Sequence, residues 1–547
     1  MFIPLAFLLL FFFYPLGSIL SLSLAPDGKL SLSALDQLVR ESRFVRIIGF
    51  TLGQAALSTV VTLLAALPGA YAIARYDFPG KSLVQALSTV PFVLPTIVVA
   101  LAFTALLGPQ GRLNLTLMRL LSRSEPLLDL RYTLAGIIAA HIFYNYTLVL
   151  RIVGTFWANL DPRLEEAARV LGAGRWRAFR EVTLPLLLPA IGAATLLVFT
   201  FCFTSFGVVL ILGGPRFSTL EVEIYRQTIQ YLNLPVAAAL SLVQMAVTLG
   251  LMLVYTQLQR RLTRKLELRS RQATQRPVRR WQDRLLVLML VSPTFVILLP
   301  LLALIERSVT LGGTMSLSAY FRLFSNPRGS VFYVPPIAAV WNSVLFAWAT
   351  VVLSVLLGLM AAVTLAGRTG YSARWTTWLD PILMLPLGTS AVTLGLGYIV
   401  ALGRPPLDLR SSPVLVVLAH TLVALPFVVR SVLPGLRAVH PHLRETAAVL
   451  GASPWRVWRH VDWPIVSRAA LVGAVFAFTV SMGEFGATSL IARPERPTLP
   501  IAIYRFLGRP GAANYGQALA MSTLLMLVCI VGFLFIERFR VGETLEF

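Results

Sequence analysis

Charge is scarce in this chain, and so are the residues that bind metals or form disulfides. Charged side chains make up 13% of 547 residues, where a soluble domain carries about a quarter. A water-soluble globular protein of this size is therefore excluded. There are two cysteines, Cys202 and Cys529, both inside apolar runs; they read as helix- or lipid-packed thiols, with no disulfide or metal site implied. The five histidines, His141, His420, His440, His442 and His460, have no metal-ligand spacing. No nucleophile, base and orienting group recur together, so no catalytic cluster is expected. The nearest approach to a phosphate loop, Gly80-Lys81-Ser82, has Arg75 where the first glycine belongs and reads as a basic turn.

What fills the chain instead is apolar residue, 57% of the total, with a mean hydropathy of +0.77. The runs are long and Leu/Val/Ala-rich rather than alternating, which predicts transmembrane helices and not a barrel. The fold class expected is all-α and polytopic, with twelve spans near 2–24, 47–74, 83–107, 133–157, 183–212, 237–258, 285–306, 338–366, 378–402, 413–436, 464–491 and 514–536. The first lacks a basic leading region and reads as a retained span. The net charge of +23 does not imply nucleic acid, because the basic residues sit in short gaps between spans, as the positive-inside rule describes. Residues 260–284 carry ten Lys/Arg, among them Arg260, Arg261, Arg264, Lys265, Arg279 and Arg280, against Glu267 and Asp283. They read as a cytoplasmic linker between two halves, 1–259 and 285–547. An even number of spans then places both termini in the cytoplasm, with Arg538 and Arg540 in agreement. The loop 108–131, with Arg112, Arg119, Arg123 and Arg131, runs against the rule.

The two halves repeat. A constant offset of 279 residues pairs His141 with His420, Arg151 with Arg430, Glu166 with Glu445, Gly172 with Gly451, Trp176 with Trp455 and Pro185 with Pro464. It continues through Phe206-Gly207 with Phe485-Gly486 and Tyr225-Arg226 with Tyr504-Arg505. Six spans per half give both halves one orientation, a parallel repeat with a path between them.

Within the repeat, two polar gaps stand out. Leu164–Pro185 reads LEEAARVLGAGRWRAFREVTLP and Leu443–Pro464 reads LRETAAVLGASPWRVWRHVDWP. Asp161 is placed to cap a short helix that Pro162 opens, with Glu165 and Glu166 in its first turn and Gly172 ending it. This loop resembles the hallmark of the membrane subunits of bacterial binding-protein-dependent ABC importers. The hallmark is a Glu-Ala-Ala loop with a Gly six residues after the Glu, then an Ile-x-Leu-Pro-like end. Glu166-Ala167-Ala168, Gly172 and Val182-Thr183-Leu184-Pro185 match it. Glu445-Thr446-Ala447, followed by Ala448 and Gly451, and Val461-Asp462-Trp463-Pro464 depart from it. The resemblance implies the type I importer fold and coupling loops at about 161–182 and 440–461 that dock on an ATPase homodimer. It also implies a separate extracytoplasmic binding protein and Mg-ATP consumed by the partner, with no cofactor on this chain. One polypeptide with two six-span halves is similar to the fused ferric-iron and thiamine permeases of the bacterial inner membrane. The stretch Thr219-Leu220-Glu221-Val222-Glu223-Ile224-Tyr225 is similar to the thiamine members. Gly483-Glu484-Phe485-Gly486-Ala487 is nearer an iron, molybdate or sulfate style. Another substrate of the same class, such as a polyamine, stays open.

Candidate path residues are Asn145, flanked by Tyr144 and Tyr146, then Thr204, Ser205 and Glu484. A carboxylate within an apolar span usually faces a cavity or a partner, so Glu484 reads equally as pathway, gate or packing. The rest read equally as interhelical hydrogen bonds. An ion-driven secondary transporter would also have twelve spans in parallel halves. It would need ionisable groups deep in several spans and would have no use for a duplicated Glu-Ala-Ala loop.

Overall fold

A computed structural model describes residues 2–540, apart from 26–28, 263–274, 312–313, 326–333, 368–372 and 404–406. Arg264, Lys265 and Glu267 lie outside the described residues. Eleven described helices are long and apolar enough to cross a membrane, and a twelfth is a pair, Leu379–Gly388 and Ala391–Ala401, bent by 98°. The fold is thus the expected all-helical, two-half membrane architecture.

Spans two, four and five (Ser42–Arg75, Leu134–Ala158 and Arg175–Phe203) form the tight bundle of the first half. Spans eight, ten and eleven (Pro336–Leu365, Val414–Ala438 and Pro454–Gly483) repeat it in the second. The outward face of span eight shows what the bundles present to lipid. Trp341, Leu345, Trp348, Val352 and Leu356 recur at helical spacing and are all exposed, an apolar stripe suited to acyl chains.

The first span of each half crosses over. Span one (Phe2–Leu24) packs on the second half's Ala391–Ala401 as well as on span six (Leu234–Leu262). Span seven (Trp281–Ser308) lies on spans two and three of the first half and on span twelve (Ala512–Arg540). Tyr146 of span four and Thr294 of span seven fix this crossing with a 3.2 Å hydroxyl contact. Where the linker re-emerges, Arg276-Pro277 pairs in parallel with Tyr76-Asp77 at the end of span two.

Several expected spans are interrupted. Span three is two helices, Lys81–Val93 and Thr96–Leu107, because Pro95 pushes Leu94 out of the helical region (ψ 141°). The run expected as 183–212 stops at Phe203 and turns through Thr204-Ser205-Phe206 before a short further helix. The run expected as 464–491 stops at Gly483 and resumes as Gly486–Ile491. Leu220–Ile229 and Leu499–Leu507, which fall between the expected spans, are short buried helices at the contact between the halves. In the loop 108–131, Arg112 bridges Glu306 at 3.0 Å and Arg131 bridges Asp129 at 3.2 Å. That pairing reduces the positive charge that had seemed out of place.

Candidate functional site

The two duplicated loops have the same construction. Pro162–Val170 is a helix whose first turn is capped by Asp161, the carboxylate accepting the Arg163 N–H at 3.0 Å. It closes with a pair of bonds, Ala173 N–H to Ala168 O at 3.1 Å and Gly172 N–H to Arg169 O at 3.1 Å. The second copy, Pro441–Val449, closes with Ala452 N–H to Ala447 O at 3.0 Å and Gly451 N–H to Ala448 O at 2.9 Å. This Schellman closure needs a residue with positive φ. Gly172 (φ +90°) and Gly451 (φ +78°) supply it, which is the physical reason for the glycine six residues after each glutamate.

The closures push the same side chains outward. Val170 and Leu171 in the first copy, and Val449 and Leu450 in the second, are all more than four-fifths exposed. Leu164 and Trp176 are answered by Leu443 and Trp455, also exposed. Each tip is therefore an apolar patch around a short helix. Glu166 is exposed and its one described ion pair is with linker Arg276 at 3.4 Å. Glu445 is exposed and meets His442 at 3.1 Å. Ala167 and Thr446 are exposed, while Ala168 and Ala447 turn partly toward the protein.

The inner face of each loop is tied down in a different way. Glu165 accepts the Thr183 hydroxyl at 3.2 Å and lies 3.7 Å from Arg75 at the foot of span two. At the equivalent positions in the second copy, Arg444 donates to Asp462 at 2.8 Å. After the tip the chain does not remain a loop. From Arg175 and from Pro454 it is helix, continuous with spans five and eleven. Each helix passes through a widened π-turn, Phe179–Thr183 and Trp458–Asp462. Pro185 and Pro464 explain the widening, since a proline cannot donate to the carbonyl four residues back and its ring crowds that group. Span eleven from Trp463 to Gly483 has 21 residues, or about 30 Å of helix at 1.5 Å per residue. One rod therefore connects each loop to the interruption at the other end of its half.

Those interruptions meet at the contact between the halves. Phe206 stacks on Phe485 with centroids 5.4 Å apart and planes 24° apart. Tyr225 lies 5.4 Å from Phe206, and Tyr504 lies 5.6 Å from Phe485. The four rings are related in pairs by the 279-residue offset. Gly207 permits the approach, because a Cβ there would press on Thr96 and come within 3.2 Å of Phe485. Arg226 and Arg505 hold the flanking segments by donating to the carbonyls of Gly214 (2.8 Å) and Pro494 (3.0 Å).

Behind the rings, each half has a buried histidine that the sequence offered only as a repeated letter. His141 bridges Ser58 and Ser205, both at 2.9 Å. His420 bridges Ser481 at 2.7 Å and Thr488 at 2.9 Å, with Glu484 at 3.3 Å. The Glu484 carboxylate also accepts the N–H groups of Ala487 at 2.8 Å and Thr488 at 3.0 Å, and the Thr488 hydroxyl. It caps the helix that restarts the broken span. Asn145 donates to the His141 carbonyl at 2.9 Å and contacts Cys202 Sγ at 3.5 Å. Thr204 bonds the Thr200 carbonyl at 3.0 Å. Asn145 and Ser205 thus come together through His141, while Glu484 belongs to the matching cluster of the other half. The matching register of His141 and His420 was the one signal that could have revealed this pair.

Two further acids entered the sequence reading only as part of the thiamine-like stretch. Glu221 and Glu223 are buried on Leu220–Ile229. Glu223 pairs with Arg43 at 2.7 Å and accepts from Gln227 at 2.8 Å. Glu221 accepts from Gln244 at 2.5 Å and, across to the second half, from the Ser390 hydroxyl at 2.6 Å.

Two parallel helical halves, with duplicated tips at one end and a shared aromatic contact at the other, have the form of a permease. The model of the family described as "Binding-protein-dependent transport system inner membrane component" matches residues 59–267 and 354–540, and the chain belongs to that family. It is 28% identical over 530 residues to the thiamine transport system permease protein ThiP of Brucella abortus, covering 95% of this chain and 92% of that protein. The protein of the same name from Escherichia coli is 28% identical over 508 residues, covering 91% and 90%. A putative 2-aminoethylphosphonate transport system permease protein, PhnU of Salmonella typhimurium, is 32% identical over 254 residues, covering 46% of this chain and 89% of that one. The chain is the multi-pass inner-membrane permease subunit of an ABC importer, a transport subunit and not an enzyme.

Proposed function

We propose that this permease carries thiamine, and that the tips at Pro162–Val170 and Pro441–Val449 are the coupling helices seated in an ATPase homodimer. The observation that carries the coupling is the repetition of one exposed patch. The same Leu, Val-Leu and Trp positions are bared twice, next to Glu166 and Glu445, on rods that run to the contact between halves. Exposed apolar clusters rimmed by charge mark protein partners. The Mg-ATP would be consumed by those partner subunits. Both termini and the linker would then lie in the cytoplasm, and a binding protein would deliver substrate on the opposite side. Thiamine is supported by the relatives that match nearly the whole chain. The ferric-iron reading rested on the fused two-half organisation, which those relatives share, and on the Gly483-Glu484-Phe485-Gly486-Ala487 stretch.

The test is reconstitution of the permease with its ATPase and binding protein in proteoliposomes, assayed with radiolabelled thiamine. Wild type should accumulate thiamine only with ATP and all three components. Glu166→Lys should keep the protein in the membrane while separating ATP hydrolysis from uptake. Full uptake by Glu166→Lys would refute the coupling assignment. Accumulation of 2-aminoethylphosphonate or ferric iron in place of thiamine would refute the substrate.

A further inference from the structure

At the contact between the halves four rings pack together, and the helix that carries one of them also carries a buried carboxylate, Glu221. Glu221 and Tyr225 are four residues apart on one helix, so their side chains share a face with Cβ atoms about 6 Å apart. Glu221 holds Ser390 across the contact at 2.6 Å, and Ser390 also caps the helix Ala391–Ala401 by accepting the N–H groups of Val392 and Thr393. Ala391 in turn packs under Gly486, next to Phe485. Two polar atoms of this network have no described partner, Gln244 Oε1 and Thr393 Oγ1, on residues that are each 1% exposed. The offset places Pro500 opposite Glu221, so the carboxylate is contributed by one half only.

We propose that Phe206, Tyr225, Phe485 and Tyr504, with Glu221 behind them, form a closed gate that also selects its substrate, a flat cationic heteroaromatic ring. Each element has a matching chemistry. Stacked ring faces are a surface that a planar ring can occupy in place of another ring. Aromatic faces and a buried carboxylate both favour a positive charge. The unpartnered oxygens of Gln244 and Thr393 suit a ring amino group, which would satisfy acceptors that the closed state leaves unpaired. In the closed state the Phe206–Phe485 stack fills the gap itself. In the open state the Glu221–Ser390 bond, which ties the two halves, must break, and the entering cation offers Glu221 a replacement partner.

This inference rests on the thiamine reading, and the test separates the two. Reconstituted transporter is loaded with mannitol, which reports an open path whatever the true substrate. The Phe206→Ala/Phe485→Ala double variant should leak mannitol without ATP roughly tenfold faster than wild type. That corresponds to loss of ring contacts worth about 1.4 kcal/mol. Phe206→Tyr/Phe485→Tyr should stay tight. Phe206→Leu/Phe485→Leu keeps apolar side chains but removes the rings, guards against a folding failure, and should also leak. Glu221→Gln should take up thiamine several-fold more slowly than wild type. If the Ala and Leu variants elute as monodisperse protein and are as tight as wild type, the gate is refuted. If Glu221→Gln transports thiamine at the wild-type rate, the selecting role is refuted. Mannitol leak from the Ala variant with no thiamine uptake by wild type would leave the gate and overturn the substrate.

Discussion

The reversed polarity of the two loop anchors makes a specific prediction. In the second copy the loop helix is held by Arg444, 28% exposed at its side chain, donating to Asp462, 7% exposed, at 2.8 Å. In the first copy the same two positions are Glu165 and Thr183. Arg444→Glu therefore sets a carboxylate against a nearly buried carboxylate. Loss of a charge-assisted hydrogen bond costs about 1.5–3 kcal/mol, and exposure of position 444 trims the further penalty of setting two carboxylates together. A net figure of about 2 kcal/mol shifts the fraction of correctly held loops roughly thirtyfold. Substrate uptake per ATP should fall by up to that factor, while membrane insertion is unaffected. Adding Asp462→Thr recreates the first copy's Glu–Thr pair and should restore most of the coupling. The assay is uptake and ATP hydrolysis measured on the same proteoliposomes. Wild-type coupling in Arg444→Glu, or a double variant as impaired as the single, would refute the anchoring argument.

Gly172→Ala and Gly451→Ala force an L side chain into positive φ and should each cost about 1 kcal/mol locally, seen as weaker ATPase binding by the solubilised permease. Nothing lies within 4 Å of either added Cβ, so equal loss in Gly174→Ala, which has no such backbone, would count against conformation as the cause. Glu484→Gln keeps one acceptor and turns an amide toward the backbone N–H groups of Ala487 and Thr488. The melting temperature should drop by an amount equivalent to about 1–3 kcal/mol, and a variant as stable as wild type would show that the cap is dispensable. Arg43→Met leaves Glu223 buried with Gln227 and Ser218 as its remaining partners. Thermal stability should fall by about 1–3 kcal/mol, and Glu223→Gln in the same background should recover most of it.

Much of this was legible in the letters. The 279-residue offset fixed the halves, and the spacing from glutamate to glycine predicted a helix closed by a left-handed residue. What escaped has a common physical cause. A helix that breaks inside an apolar run leaves no trace in composition, so Thr204-Ser205-Phe206 and Gly483-Glu484-Phe485 passed as continuous span. The repeated Phe-Gly pair was the visible mark, but nothing in one sequence said that the two phenylalanines touch. The helices Leu220–Ile229 and Leu499–Leu507 fall between the expected spans, and nothing local to Glu221 and Glu223 marks them as buried. Their partners, Ser390 and Arg43, lie 169 and 180 residues away, beyond the reach of periodicity. The charge at Arg112 looked misplaced for the same reason, its partner Glu306 being in the other half.

The crossing of spans one and seven has a consequence for how such a chain can arise. Span one lies on Ala391–Ala401 and span seven on spans two and three, so a solitary six-helix copy would expose in the bilayer a surface shaped for a neighbour. A half-length chain would meet that need by clasping a second copy of itself. By the same token, a permease severed at the basic linker and expressed as two pieces should reassemble without the tether.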